Sequence, residues 1–311
     1  MHQVRSLSTR VKARVGVIGL GQMGGRMADN LRKHGHKLVV CDPVPANVQK
    51  QVDQGGAVAA ATPAEVAEQC DTIVTMLPST AIVESVYLGD SGVHEALRDE
   101  HLLLDSSTID PIFTKKLSTE LHARGATFVD APVSGGVAGA QNGTLTFMVG
   151  GEPEEFERVK PLLKAMGKNL VYCGRSATGQ VAKLCNNLAA AIQLTSVAEA
   201  TNLGVALGID PKVLASVLNS STSRCWSSVA NHPYPGVMPS VPASDGYEGG
   251  IAVQLMRKDL GLASSCAMQA EVSVPLTNSV LQLFNMMVNQ GNGHKDFAYI
   301  LPFLRGGNSN P

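Results

Sequence analysis

The sequence has no surplus of positive charge. Its 25 lysines and arginines stand against 26 acidic residues, for a formal net charge of -1, and the basic residues are scattered along the chain. Binding a nucleic-acid backbone needs a clustered basic field, so nucleic acid is not an expected partner. Paired cysteines are lacking too. The six cysteines, at 41, 70, 173, 185, 225 and 266, are dispersed, with no Cys-x-x-Cys and no histidine at metal-ligand spacing. That pattern predicts free thiols in a reducing compartment and no bound metal. Long apolar runs are missing as well: the nearest, Leu188 to Ile192, is short and flanked by Asn187 and Gln193, so no membrane span is expected. No internal repeat is visible.

What is present is a 44% hydrophobic content in 311 residues, enough for more than one core. The chain opens on a leader, residues 1–13, holding Arg5, Arg10 and Lys12 with Ser6, Ser8 and Thr9; no acidic residue occurs before Asp29. A basic, Ser-containing, acid-free leader is the composition of a mitochondrial transit segment, the alternative being a plain N-terminal tail on a cytoplasmic enzyme.

Immediately after it, Arg14-Val-Gly-Val-Ile18 runs into Gly19, Leu20, Gly21, Gln22, Met23 and Gly24. This reads as a buried strand, a very tight turn and the first turn of a helix. Gly19 permits the turn, Gly21 lets a ligand approach the backbone, and Gly24 lets helix and strand pack closely. The helix N-terminus favours a pyrophosphate. A second strand, Lys37-Leu-Val-Val-Cys41, ends in Asp42, about twenty residues on, where a carboxylate can bond an adenosine ribose hydroxyl. The six-residue turn and Asp42 together predict an NAD-binding cradle.

Through about Cys173 the pattern alternates β-rich runs, at 72–76, 102–105, 127–130, 144–149 and 169–173, with helical stretches. Strand and helix in turn imply a mostly parallel sheet covered on both faces. Thr62-Pro-Ala-Glu65 and Ser107-Thr108-Ile-Asp110 are legible helix starts. After Gly174 the strands vanish. A helix can run from about Thr178 to Leu207, apolar on nearly every side and so expected as a buried spine. Helical patterns follow at 211–219, 252–270, 275–290 and 295–304, while 220–250 is dense in Ser, Pro and Gly and reads as a long loop. The expected fold is α/β: a Rossmann-type doubly wound sheet (14–175), a long bridging helix (176–207) and an all-α C-terminal domain (208–311).

In such a sheet the chemistry lies in loops at the carboxyl ends of strands: 19–24, Met76-Leu77-Pro78, Asp105-Ser-Ser-Thr108 and Asp130-Ala-Pro-Val-Ser134-Gly135-Gly136. Ser134, Gly135 and Gly136 are either a plain turn or a concavity of amides suited to a carboxylate. On the long helix Lys183 and Asn187 are one turn apart, with Gly179 a turn earlier. Either they converge on a site, where desolvation can lower an amine pKa from about 10.4 toward working pH, or the lysine reaches solvent and the asparagine packs. The histidines at 34, 36, 94, 101, 122, 232 and 294 read as surface residues. Arg257-Lys258-Asp259 reads as a solvated charge cluster.

Taken together, the four motifs Gly19–Gly24, Asp130–Gly136, Gly179-Gln-Val-Ala-Lys-Leu-Cys-Asn-Asn187 and Lys258-Asp-Leu-Gly-Leu-Ala263 resemble the β-hydroxyacid dehydrogenase family over nearly the whole chain. Arg224-Cys-Trp-Ser-Ser228 and Lys295-Asp-Phe297 narrow the resemblance to its hydroxyisobutyrate branch. The resemblance implies Lys183 as the catalytic acid/base and Asn187 as its companion. It implies Ser134, Gly135 and Gly136 as the seat of the substrate carboxylate, and Leu77, Pro78, Thr108 and Lys258 as cofactor contacts. It implies NAD-dependent oxidation of a small 3-hydroxy acid, (S)-3-hydroxyisobutyrate, to methylmalonate semialdehyde in the mitochondrial matrix, by a homodimer or homotetramer. Asp42 followed by Pro43, with no arginine beside it, favours NAD over NADP. The alternatives are a tartronate-semialdehyde or glyoxylate-type reductase of the same family, and a non-catalytic dinucleotide-binding module, against which the presence of Lys183 argues.

Overall fold

The computed structural model describes residues 14–306, so the basic leader lies outside the described residues. In chain order the elements up to the long helix are β1 (Val15–Ile18), α1 (Gly24–Lys33), β2 (Leu38–Cys41), α2 (Pro45–Gly55), β3 (Val58–Ala59), α3 (Pro63–Gln69), β4 (Thr72–Thr75), α4 (Thr80–Leu88), β5 (Leu102–Asp105), α5 (Pro111–Ala123), β6 (Thr127–Asp130), β7 (Val133–Ser134), α6 (Gly136–Asn142), β8 (Leu145–Gly150), α7 (Pro153–Lys164) and β9 (Gly167–Gly174). Helices alone follow: α8 (Thr178–Ala206), α9 (Pro211–Ser220), α10 (Trp226–Val229), α11 (Val253–Gln269), α12 (Pro275–Asn289) and α13 (Ile300–Leu304).

The strands form one sheet in the order β3-β2-β1-β4-β5-β6-β8-β7, with β9 also paired to β8. From β3 to β6 every pairing is parallel; β8 runs antiparallel to β6 and β7. Every residue of β1, β2 and β5 is buried, as a sheet covered on both faces requires. One face packs Val17, Val40, Leu104 and Val129 against α1 residues such as Met27 and Leu31. The other packs Ile18, Ile73, Leu103 and Phe128 against Val66, Val83 and Leu117. The strand order reverses beside β1, with β2 on one side and β4 on the other. That switch point is where an α/β sheet leaves a crevice at its carboxyl edge.

Helix starts follow the local signals. Thr62 Oγ1 accepts from Glu65 N, Asp110 caps α5 through Ile112 N, and Asp210 caps α9 through Lys212 N and Val213 N. Each such cap contributes about 1 kcal/mol. The two-residue strands β3 and β7 are too short for a periodicity signal.

Packing groups the described residues through Lys183 with the sheet, and those from Leu184 as a second unit. Its core gathers Leu194, Met256, Leu260, Phe284, Met287, Phe297 and Leu301. The long helix is present, but it is not buried on nearly every side. Gln180, Leu184, Ala191, Leu194, Ala198 and Thr201 form a buried stripe, whereas Val181 and Leu203 are 47% and 62% exposed. Small residues along the helix mask that amphipathic pattern in the sequence.

The 220–250 segment is not a bare loop. It contains α10 and buries Tyr234 and Tyr247. Tyr247 OH donates to Pro233 O at 3.1 Å, and the Arg305 guanidinium lies 4.8 Å from the centre of the Tyr234 ring. The buried Asp296 closes the end of this segment by accepting from Ile251 N at 2.7 Å and Ala298 N at 2.9 Å.

Two histidines read as surface residues are buried: His101 and His232. His101 Nδ1 accepts from Arg98 N, and its Nε2 lies 3.0 Å from Ala67 O and Cys70 O. His232 Nδ1 accepts from Tyr234 N at 3.2 Å, and burial pushes its pKa down to about 4. An unfolded chain with histidine near 6.5 therefore takes up the proton first. The contribution of His232 to stability is full above pH 6.5 and declines as pH falls toward 4, on the order of 2 kcal/mol by pH 5. Asp130 and Asp296, whose carboxyls burial raises to about 6, act in the opposite sense below that pH, because there the folded chain holds the extra protons. His232→Asn should therefore lose less melting temperature than the parent between pH 7.5 and pH 5 in paired thermal melts. Equal losses in the two proteins would remove His232 as the source.

Candidate active site

The glycine turn has the geometry its residues suggest. Gly19 has φ of +90°, and a Cβ there would run into the carbonyl oxygen of Met76; a Cβ on Gly24 would overlap the carbonyl oxygen of Gly19. By contrast, a Cβ on Gly21 would meet no protein atom within 4 Å. The backbone thus presents open space at the one glycine where a ligand is expected to approach. Helix α1 starts there with no side-chain cap and no acidic residue in its first turn, so its positive end faces that space. Asp42, at the end of β2, is pinned to the turn: its Oδ2 accepts from Leu20 N at 2.6 Å, and its Oδ1 accepts from Val44 N at 2.8 Å and Asn47 Nδ2 at 3.0 Å. Open glycine, uncapped helix and anchored carboxylate fit a dinucleotide.

The loops after β4 and β5 are tied together below the surface. Asp105, fully buried, accepts on Oδ1 from Thr75 Oγ1 at 2.7 Å and Ser107 Oγ at 2.6 Å, and Ser107 Oγ accepts in turn from Leu77 N at 2.9 Å. Leu77 is buried beside this network, Thr108 is half-buried and Pro78 is exposed.

Lys183 does not reach solvent. It is 7% exposed, and its Nζ donates to Ser134 Oγ at 3.0 Å. Ser134 leads into Gly135 and Gly136, with φ of +130° and +60°, a conformation that L side chains rarely adopt. A Cβ on Gly136 would again meet nothing within 4 Å. The turn therefore leaves room above its backbone, next to the lysine. The start of the helix that carries Lys183 is held by Asp130, whose Oδ1 accepts from Ala177 N at 2.7 Å and whose Oδ2 accepts from Gln180 N at 3.0 Å.

In the second unit Asn187 is buried, and its Nδ2 donates to Asp259 Oδ2 at 2.6 Å, while Lys258 Nζ lies 3.1 Å from Asp259 Oδ1. The 257–259 cluster is thus not a solvated face: Arg257 is exposed, but Asp259 is buried and joins Lys258 to Asn187. Helix phase explains the difference, since Asp259 shares the inward face of α11 with Met256, Leu260 and Ala263. Asp105, Gln180 and Asp259 stand inside motifs named above but had no role assigned from sequence. Their contacts to Thr75, Ser107 and Asn187 respectively lie 30 to 73 positions away, so no spacing marks them. Asp105 and Asp130, both closing strands, carried the only available hint. Among the described residues no group of three or more His, Cys, Asp or Glu side chains could hold a metal, and no helix is long and apolar enough to cross a membrane.

Comparison with known proteins gives the family. Residues 14–174 match the family model for the NAD binding domain of 6-phosphogluconate dehydrogenase, and residues 177–304 the one described as NAD-binding of NADP-dependent 3-hydroxyisobutyrate dehydrogenase. The mitochondrial 3-hydroxyisobutyrate dehydrogenase of Mus musculus is 48% identical over 97% of this chain and 90% of its own length. The 3-hydroxyisobutyrate dehydrogenase of Pseudomonas aeruginosa is 44% identical over 94% of this chain and 98% of its own. The solved 3-hydroxyisobutyrate dehydrogenase of Mycobacterium tuberculosis with L-serine superposes with a TM-score of 0.90 at 33% identity, covering 95% of this chain and all of that one. Fold and motifs define an NAD-binding dehydrogenase, an oxidoreductase acting on a small hydroxy acid. Within that class the chain belongs to the 3-hydroxyisobutyrate dehydrogenase family.

Proposed function

We propose that the protein oxidises (S)-3-hydroxyisobutyrate to methylmalonate semialdehyde with Lys183 as acid/base. The observation that carries this reading is the buried Lys183 amine 3.0 Å from Ser134 Oγ, beside a turn that is open at Gly136. The amides of that turn receive the substrate carboxylate, which fixes the hydroxyl beside Lys183. The Lys183 amine takes the hydroxyl proton as the carbonyl forms, and in the reverse direction returns it. Asn187, one turn further along the same helix, orients the hydroxyl while Asp259 fixes its amide. Bound nicotinamide supplies the hydride acceptor. The cofactor would lie on Gly19 to Gly24, with Leu77, Pro78, Thr108 and Lys258 as further contacts and Asp42 on the adenosine ribose.

A carboxylate anchored at the end of β2 repels a 2′-phosphate, so NAD is the preferred form. Steady-state assays of 3-hydroxyisobutyrate, 3-hydroxypropionate, serine and glycerate, each with NAD and NADP, test the whole reading. The highest kcat/KM is expected for 3-hydroxyisobutyrate with NAD, and a preference for glycerate with NADP would move the protein to the reductase alternative.

The matrix is the compartment the leader composition favours, and the mouse relative is named mitochondrial. Recovery from fractionated cells in the cytosol alone would reject it. A homodimer or homotetramer accords with the exposed apolar side chains Leu203, Leu207, Val213 and Val217, the kind of surface that association covers. Light scattering that returned the 32.6 kDa mass of one chain would reject that assembly.

A further inference from the structure

Gln180 has no part in the chemistry above, yet it is fully buried with both ends of its carboxamide engaged. Its Nε2 donates to Ser107 O at 2.7 Å and its Oε1 accepts from Ile109 N at 3.1 Å. The side chain therefore grips the backbone on both sides of Thr108. Its own N–H donates to Asp130 Oδ2 at 3.0 Å. Three residues later, on the same side of the helix, Lys183 donates to Ser134 Oγ. Asp130 and Ser134 are the two ends of one short segment, so a closed hydrogen-bonded circuit joins the Thr108 loop, the first turns of α8 and the 130–134 segment. The helix is seated flush as well, because a Cβ on Gly179 would run into the carbonyl oxygen of Met148.

We propose that Gln180 is a positioning residue: it locks the loop carrying Thr108 to the helix turn carrying Lys183 and so sets the amine against the substrate hydroxyl. This rests on the reading of Lys183 given above. A carboxamide is suited to the place, since it must offer a donor to one backbone carbonyl and an acceptor to one backbone N–H at the same time. Methionine fills the same space with neither, and a carboxylate sets an oxygen against Ser107 O.

The test compares the parent with Gln180→Met and Lys183→Ala. In Gln180→Met, kcat is expected to fall about 10- to 100-fold, as for a small misplacement of a reacting group, with KM for 3-hydroxyisobutyrate within about threefold. NAD affinity, measured by calorimetry without substrate, is expected to weaken as the Thr108 loop loosens. Unchanged kcat and unchanged NAD affinity in the folded variant overturn the proposal. Should Gln180→Met not fold, Gln180→Glu carries the test: a protonated Glu side chain can donate to Ser107 O where the carboxylate cannot, so the ratio of variant to parent kcat should rise as pH falls from 9.5 to 6.5. A ratio flat across that range overturns the proposal. Near-normal turnover in Lys183→Ala would instead reject the underlying reading, whereas a dead Lys183→Ala beside a normal Gln180→Met rejects the clamp alone.

Discussion

Lys183→Ala should lose between about two and four orders of magnitude in kcat, the range carried by a positioned acid/base group, while still binding NAD. The amine is placed against the Ser134 turn by a direct hydrogen bond. The glycine turn that would hold the pyrophosphate takes its shape from Gly19, Gly24 and Met76, none of which needs the lysine. Lys183→Arg should be nearly as inactive, because a guanidinium keeps its charge and cannot accept the hydroxyl proton. Lys183→Met, which preserves much of the buried volume, separates lost chemistry from lost packing. Stopped-flow detection of NADH with calorimetric NAD binding checks all three, and near-parental turnover in Lys183→Ala would eliminate the lysine from the mechanism.

Gly21→Val should weaken NAD binding by about 100-fold, roughly 3 kcal/mol, with almost no change in melting temperature. The reasoning is steric. A Cβ at Gly21 meets no protein atom within 4 Å, so the folded chain is expected to tolerate a side chain there as it would a surface substitution, within about 0.5 kcal/mol. The space it fills is the space the pyrophosphate needs. Gly24→Val is the contrasting case: its Cβ collides with the Gly19 carbonyl, so stability and binding should fall together. If Gly21→Val bound NAD as tightly as the parent, the dinucleotide would have to lie elsewhere.

Much of this was legible before any coordinates. β1, the glycine turn and α1 followed directly from a buried apolar run meeting Gly19, Gly21 and Gly24. The capped starts of α3 and α5 followed from Thr62 and Asp110, because capping is decided within a few residues. The end of β2 at Asp42 was equally local. The burial of His232, the role of Gln180 and the inward turn of Asp259 were not legible, since each depends on which distant backbone or side chain arrives beside it. The small residues of α8 concealed its exposed face for a related reason: alanine and serine suit either side of a helix, and only packing selects the inner one.

Local order alone therefore determined the class of sheet and the dinucleotide turn, because strand burial and turn sterics act over neighbouring residues, whereas Lys183 was marked out only by the family resemblance. Tertiary structure alone decided that Lys183 is buried against Ser134 rather than reaching water, and that Asp130 and Gln180 hold its helix. Those contacts join residues about fifty to seventy positions apart, and hydrogen bonds of that span exist only once the core has closed around them.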